Sequence, residues 1–191
     1  SSAASDVYKR QVWGSGSEYP GNELTKHGVI LVTVNYRLGP FGFFSHPELS
    51  MKNGSSGNQG FSDQIQSLKW VKENIQYFGG DPNNVTIFGE SAGGHNVAAL
   101  MASPPAQGLF HRAIIQSGIM SVGDLQDAEL PYGEDRYARS ISSFELVNEL
   151  LVLNGSAADR TEAATLQRSL SSADIKALLL DAEATRLLDA E

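Results

Sequence analysis

The chain has 191 residues, of which 41% are hydrophobic and 19% charged, and its formal net charge is −8. These proportions are typical of a globular domain, and no apolar run is long enough to span a bilayer. The absence of cysteine excludes disulfides, thiolate catalysis and cysteine-ligated metals within this stretch. All the net charge lies in residues 121–191, which contain fourteen acidic and six basic residues. We interpret this acidic half as a helical surface. No basic patch is available for a nucleic acid.

The two ends of the N-terminal region differ in character. Residues 1–11 have neither periodicity nor turn chemistry, and we interpret them as a translated adaptor remnant; a genuine frayed terminus would leave the chemistry unchanged. Residues 12–21 are rich in glycine, serine and proline, which predicts a loop. No linker, repeat or low-complexity block follows, so residues 12–191 are predicted to form one partial domain.

The next elements predict a parallel sheet covered by helices. Residues 29–36 are almost continuously apolar and β-branched, which favours a strand buried on both faces. Residues 38–59 form a long irregular stretch, and loops of that length are usually functional or disordered. Residues 61–78 predict a helix, ended by residues 79–82. Its apolar stripe consists of Phe61, Ile65, Leu68, Val71, Ile75 and Phe78.

Residues 89–93 carry the strongest chemical signal, because they spell G-x-S-x-G, the pattern of a nucleophile elbow. The motif alone is weak in a chain rich in glycine and serine. However, residues 85–88 before it are β-branched and aromatic, and residues 92–102 after it are rich in alanine. A strand, a sharp turn and a helix are therefore predicted in the order that a catalytic serine requires. The alternative is a glycine–serine turn without catalysis.

The elbow pattern assigns roles to its residues. Ser91 would take a strained backbone conformation, and Gly89 and Gly93 would relieve crowding because they have no Cβ. The start of the helix supplies free N–H groups and a partial positive charge. We therefore predict that Ser91 is a nucleophile and that the N–H of Ala92 donates to the oxyanion.

The rest of the chain predicts one more strand and then helices. Residues 103–105 end the elbow helix, and residues 113–116 predict a strand entered through His111. The three predicted strands and two helices would form two consecutive βαβ units. Two helical stripes follow, made of Phe144, Val147, Leu150 and Leu151, and of Ile175, Leu178 and Leu179. Ser171 and Asp174 have the spacing of a capping box before the second stripe.

With these residues in place, the chain resembles the type-B carboxylesterase/lipase family, the cholinesterase-like branch of the α/β hydrolases. The resemblance extends from about residue 14 to the C-terminus. The matching segments are Asn35-Tyr36-Arg37-Leu38-Gly39, Gly57-Asn58-Gln59-Gly60, Asp63-Gln64, Trp70-Val71, Asn74-Ile75, residues 78–86, residues 89–94 and Gln116-Ser117-Gly118.

This resemblance implies an α/β fold, specifically an α/β-hydrolase fold with a central, mostly parallel sheet and helices on both faces, present as a partial domain. It implies a serine hydrolase that cleaves small carboxylic esters through an acyl-enzyme on Ser91, with Ala92 as an oxyanion-hole donor. It implies no metal or organic cofactor. It also implies a structural ion pair between Arg37 and Asp63, whose loss would cost roughly 3–5 kcal/mol if the pair is buried.

Members of the resembled family also have groups that this chain does not contain. A His-Gly-Gly-Gly segment would precede residues 14–17, and the catalytic acid and histidine would follow Glu191. His95 and His111 are expected to be surface or structural residues, and the acidic residues of 121–191 to lie on helical surfaces. The chain alone is therefore expected to be inactive. The alternatives are a non-catalytic adhesion or scaffold domain of the same fold, and hydrolysis of amides or carbamates.

Overall fold

The computed structural model describes residues 15–50, 56–119 and 142–190. These residues divide into two compact units. The first contains the described residues up to Leu38 and from Gln59 to Ile119, and the second contains the others. The interpretation of residues 1–11 as a remnant lies outside the described residues. The prediction that residues 12–191 form one partial domain stays a prediction. The division into two compact units does not show whether the units fold together or separately.

The described elements alternate between helices and short strands only in the first unit. The helices are α1 (Asn22–Thr25), α2 (Gly39–Phe43), α3 (Gln59–Asn74), α4 (Ala92–Ala102), α5 (Ser143–Leu153), α6 (Arg160–Ser169), α7 (Ser172–Asp181) and α8 (Ala184–Asp189). The strands are β1 (Thr86–Glu90) and β2 (Arg112–Gln116), and the 3₁₀ turns are Gly16–Glu18, Pro47–Leu49, Ile75–Phe78 and Pro104–Ala106. No helix in the described part of the chain has the length and hydropathy to cross a membrane.

The sheet of the first unit is a parallel pair joined by a helix. β1 pairs with β2 from Thr86 opposite Arg112 to Glu90 opposite Gln116. Both strands lie where the β-branched runs predict them, and α4 connects them over the predicted residues. One core cluster contains side chains of this βαβ unit and of α3. Its buried members are Leu68, Ile87, Val97, Leu100, Ala106 and Leu109.

Residues 29–36 form no strand, and this prediction is wrong for the described structure. A strand needs ladder hydrogen bonds to a neighbour, and within the described residues β1 pairs only with β2. The apolar side chains are nevertheless used, because Ile30 and Val32 pack against the cluster of Val71, Ile75 and Val85. Of the two predicted βαβ units, the described residues therefore contain only β1–α4–β2.

Helix α3 confirms the predicted helix and corrects its last turn. Leu68, Val71 and Ile75 are buried as the stripe predicts. At Ile75 the chain tightens into a 3₁₀ turn, which ends at Gly79 with φ 81°. The change of helical period rotates Phe78 out of the stripe, so that Phe78 is 63% exposed and its ring lies tilted against that of Trp70, with the ring centroids 5.7 Å apart. The stripe prediction is wrong at this one position.

The second unit has a helical core. Its buried cluster contains Leu146, Val147, Leu150, Leu151, Ala157, Ala163 and Leu179. The capping box before α7 is confirmed, because the Asp174 N–H donates to Ser171 Oγ and the Ser171 N–H donates to Asp174 Oδ2, both at 3.2 Å. The hydrogen bonds from Ser171 also lower the pKa of Asp174. α6 has no counterpart in the sequence patterns, although Asp159 caps it.

One acidic residue of this unit departs from the predicted surface pattern. Glu145 is only 5% exposed, and the Arg160 guanidinium donates to both of its carboxylate oxygens, with Nε at 2.7 Å from Oε2. The expectation that all acidic residues here lie on helical surfaces is therefore wrong for Glu145. The reason is that α6 brings the arginine to a carboxylate that the apolar pattern of α5 turns inward.

Candidate active site

Ser91 lies in the turn between β1 and α4 and has an unusual backbone. Its φ is 54° and its ψ is −115°, in a region that residues with a Cβ rarely adopt. Such a conformation costs about 1–3 kcal/mol and persists only where the surrounding structure holds it. The sharp turn predicted from G-x-S-x-G is therefore present. Ser91 and Ala92 are both partly exposed.

Two hydrogen bonds hold the backbone of Ser91. Its N–H donates to the carbonyl of Gln116 at the end of β2, with an N–O distance of 2.9 Å. Its carbonyl accepts from the N–H of His95 in the first turn of α4, at 3.0 Å. The serine is thus attached on one side to the sheet and on the other to the helix.

Close backbone contacts make this attachment tight. A Cβ added to Gly89 would lie 2.3 Å from the carbonyl carbon of Gly93. A Cβ on Gly94 would lie 2.8 Å from the Gln116 oxygen and 2.9 Å from Gly118 Cα. The crowding predicted around Gly89 is confirmed. The second contact was not predicted, because nothing local signals that Gly94 faces Gly118.

The start of α4 can stabilise negative charge beside the serine. Ala92 is the first residue of the helix, and the first N–H groups of a helix have no acceptor within it. They also lie at the positive end of the helix dipole. The position next to the Ser91 hydroxyl is thus suited to an anionic oxygen, which is the charge that forms when an alcohol attacks a carbonyl.

A second serine shares the unusual backbone. Ser117 has φ 52° and directly follows β2, as Ser91 directly follows β1. The register pairs Glu90 with Gln116, so the two serines continue neighbouring strands at the same edge of the sheet. Ser117 lies in the matching segment Gln116-Ser117-Gly118, but no role was predicted for it, because its backbone conformation is visible only in the structure.

The two histidines after Ser91 lie as expected. His95 is exposed on α4, and Nδ1 of His111 accepts the Val85 N–H at 3.2 Å, which joins the starts of the two strands. Neither makes a hydrogen bond to the Ser91 hydroxyl in the described structure. In the part of the chain that the structure describes, no group of three or more histidine, aspartate or glutamate residues could hold a metal ion.

The ion pair between Arg37 and Asp63 is confirmed, but it is not buried. The Arg37 side chain donates from Nε to Oδ2 at 2.8 Å and from Nη2 to Oδ1 at 2.7 Å, and its backbone N–H donates to Oδ2 at 3.0 Å. The side chains are 54% and 28% exposed. The cost of 3–5 kcal/mol expected for a buried pair is therefore too large, because solvent screens the charges.

The pKa of Asp63 predicts how the stability contributed by the Arg37–Asp63 pair depends on pH. Hydrogen bonds from Arg37 lower it below its ordinary value of 3.8, so the carboxylate stabilises the fold above that pH. This stability is lost as the pH falls through the lowered pKa. We expect Asp63→Asn to reduce the free energy of unfolding by about 1 kcal/mol at pH 7, and the difference from the wild type to disappear at a pH below the lowered pKa of Asp63. Urea unfolding at both pH values measures it.

The control for this prediction is Glu23→Gln. It removes a carboxylate from the exposed pair with Lys26, and no measurable change is expected. Equal effects of the two substitutions, or a difference for Asp63→Asn that persists at low pH, would contradict the role assigned to the Arg37–Asp63 pair.

Comparisons of the sequence with known proteins find esterases. A model of the carboxylesterase family matches residues 9–149. A para-nitrobenzyl esterase of Bacillus subtilis (strain 168) is 57% identical over 108 residues, which are 55% of this chain and 22% of that protein. Human carboxylesterase 5A is 46% identical over 123 residues, which are 64% of this chain and 21% of that protein.

Solved structures extend the match to almost the whole chain. A PNB esterase structure aligns with a TM-score of 0.72 and 35% identity, over 99% of this chain and 34% of that one. The Geobacillus stearothermophilus carboxylesterase EST55 aligns with a TM-score of 0.70 and 36% identity. These structures have the α/β-hydrolase fold, so the predicted fold class is confirmed. The chain spans about a third of their length and about a fifth of the curated relatives' length.

Proposed function

This chain belongs to the carboxylesterase family, and from that premise we propose that Ser91 is the nucleophile of a carboxylic ester hydrolase. The observation that carries the proposal is the strained backbone of Ser91, with φ 54°, in the turn between a parallel strand and a helix. In this turn Ser91 is partly exposed and lies between the end of β1 and the first residue of α4. Strain of this kind is maintained where a function uses it.

The proposed reaction proceeds through an acyl-enzyme. The oxygen of Ser91 attacks the ester carbonyl carbon while a base takes the hydroxyl proton. The carbonyl electron pair moves to oxygen, and the Ala92 N–H donates to the resulting oxyanion. When the tetrahedral intermediate collapses, the alcohol leaves with the proton. Water then hydrolyses the acyl-serine in the same two steps, which restores Ser91 and releases the acid.

The base, the acid that orients it and the other oxyanion donors are supplied by parts of the whole protein outside this chain. This proposal is supported by the positions of the described candidates. His95 is exposed, His111 accepts a backbone N–H and Glu145 is paired with Arg160. Losing one oxyanion donor lowers turnover roughly 10²–10³-fold, and losing the base lowers it about 10⁶-fold. The 191-residue chain alone is therefore inactive.

The substrate is a small-molecule carboxylic ester. The names of similar proteins support this class, since they include a para-nitrobenzyl esterase and a fumonisin B1 esterase. An adhesion or scaffold role is not favoured, because these similar proteins are esterases and Ser91 retains its flanking glycines. Hydrolysis of amides or carbamates would use the same groups.

A fluorophosphonate probe tests the proposal, because it reacts covalently with activated serines. We expect the whole protein to be labelled on the peptide that contains Ser91, and the 191-residue chain to be labelled no faster than its Ser91→Ala variant. A whole protein that stays unlabelled would support the scaffold role. Rapid, Ser91-dependent labelling of the chain alone would show that this stretch contains its own base.

A further inference from the structure

A buried hydrogen bond joins helix α4 to the segment that precedes α2. The side-chain amide of Asn96 donates from Nδ2 to the hydroxyl oxygen of Tyr36 at 2.7 Å. Asn96 is 4% exposed and Tyr36 is 8% exposed. The proposed reaction uses neither side chain. An amide in the apolar environment of α4, whose neighbours Val97 and Ala98 are also buried, therefore calls for an explanation.

The residue after Tyr36 attaches the same segment to helix α3. Arg37 bonds Asp63 of α3 through both its backbone N–H and its guanidinium group. Tyr36 and Arg37 therefore contact two different helices from adjacent positions in the chain. We call Tyr36 and Arg37 together the 36–37 tie. It fixes α4 relative to α3 through directional bonds, which apolar packing alone does not provide.

On α4, the 36–37 tie makes its contact at Asn96, close to the elbow at Ser91. Asn96 lies five residues after Ser91, and the N–H of the preceding residue, His95, donates to the Ser91 carbonyl. A rotation or shift of α4 would thus move the peptide group of Ser91 directly. The close contact between Gly94 and Gly118 holds the helix against the segment that follows β2.

The oxygen of the Asn96 amide indicates that this side chain serves to position α4 rather than to stabilise the core. Asn96 Oδ1 is buried and has no hydrogen-bond partner in the described structure. An unsatisfied buried acceptor is unfavourable, so a leucine of similar size would suit the core better. The single bond to Tyr36 is what a leucine could not supply.

We propose that Asn96 and Tyr36 are positioning residues that hold α4 so that Ser91 keeps its strained conformation and the Ala92 N–H stays aimed at the oxyanion. This proposal rests on the function proposed for Ser91. Misplacement of reacting groups by about 1 Å can cost about 100-fold in rate. Loss of the bond is therefore expected to act on kcat much more than on KM.

The test compares Tyr36→Phe, Asn96→Leu and the double variant of the whole protein with the wild type. Tyr36→Phe removes only the hydroxyl, so it keeps the ring in place if Asn96→Leu folds poorly. Turnover of a p-nitrophenyl ester is divided by the number of serines titrated with a fluorophosphonate, which removes the effect of unfolded protein. We expect kcat per titrated site to fall roughly 10- to 100-fold, with KM nearly unchanged. The double variant should be no worse than the poorer single variant, because both substitutions remove the same bond between Asn96 and Tyr36.

A second measurement does not depend on activity. Amide hydrogen exchange of a peptide that covers residues 88–96 should become faster in Tyr36→Phe and in Asn96→Leu. The matched control is Asn148→Leu on α5, since Asn148 is also a buried helical asparagine, 1% exposed, with an unpartnered Oδ1. It should leave kcat per titrated site and exchange at the elbow unchanged.

The outcomes separate this proposal from the one on which it rests. Unchanged exchange at residues 88–96, or an equal loss of kcat in the Asn148→Leu control, would overturn the positioning role. A wild-type protein that is not labelled at Ser91 would overturn the proposed function. In that case the exchange measurement would still decide whether the hydrogen bond holds the turn.

Discussion

We expect Ser91→Ala to lower kcat of the whole protein on a p-nitrophenyl ester by roughly 10⁵- to 10⁶-fold. The reason is that the acyl-enzyme cannot form without the Ser91 oxygen, so that only binding and oxyanion stabilisation by groups such as the Ala92 N–H remain. The fold should persist, because no hydrogen bond in the described structure depends on that hydroxyl. Steady-state kinetics, together with circular dichroism of the variant, measure both expectations.

Ser169→Ala is the matched control for this substitution. It removes the same atom from the exposed end of α6, where the hydroxyl donates to the Leu166 carbonyl. We expect kcat within about twofold of the wild type, as is usual for surface changes far from a site. If Ser91→Ala kept a tenth or more of the wild-type rate, another residue would be the nucleophile, and the role of Ala92 would be wrong as well.

The second large effect is expected for Gly89→Ala, which should lower the free energy of unfolding by about 3 kcal/mol or more. The added Cβ would lie 2.3 Å from the carbonyl carbon and 2.4 Å from the carbonyl oxygen of Gly93. These are backbone atoms of α4, so no side-chain rotation can relieve the clash, and the helix must move away from β1. Urea unfolding of the variant and the wild type measures the difference.

Gly108→Ala separates this clash from backbone strain. Gly108 has φ 72° with nothing within 4 Å of an added Cβ, so the substitution adds strain without a clash. We expect a cost of about 1 kcal/mol. Gly89, in contrast, is not among the described glycines with positive φ, so its cost comes from the close contact alone. Similar losses for the two variants would show that the approach of α4 to β1 is not a tight one.

Elements with a local cause were predictable. The boundaries of α4, the positions of β1 and β2 and the capping box at Ser171 follow from the order of apolar, small and capping residues over a few positions. The same is true of the elbow at Ser91, because a strand, a G-x-S-x-G turn and a helix are all contained in one short stretch. Carboxylesterase family membership was predictable for a related reason, since many short motifs occur in one order.

Residues 29–36 show where this reasoning fails. A run of apolar, β-branched residues predicts burial, and Ile30 and Val32 are indeed packed against the cluster of Val71, Ile75 and Val85. The run cannot predict a strand by itself, because ladder hydrogen bonds require a partner that other parts of the chain supply. Phe78 fails for a smaller reason, since the 3₁₀ turn alters the spacing on which the stripe depends.

The amino-acid sequence by itself determined the identity of the turn, its serine and the elements on either side, because each depends on sterics and hydrogen bonds between neighbours in the chain. The tertiary structure alone decided which distant groups meet. The bond between Tyr36 and Asn96 joins residues 60 positions apart, and Arg160 reaches the buried Glu145 because α6 packs against α5. Such contacts depend on how helices and strands pack against each other, and no local pattern of residue types encodes that packing.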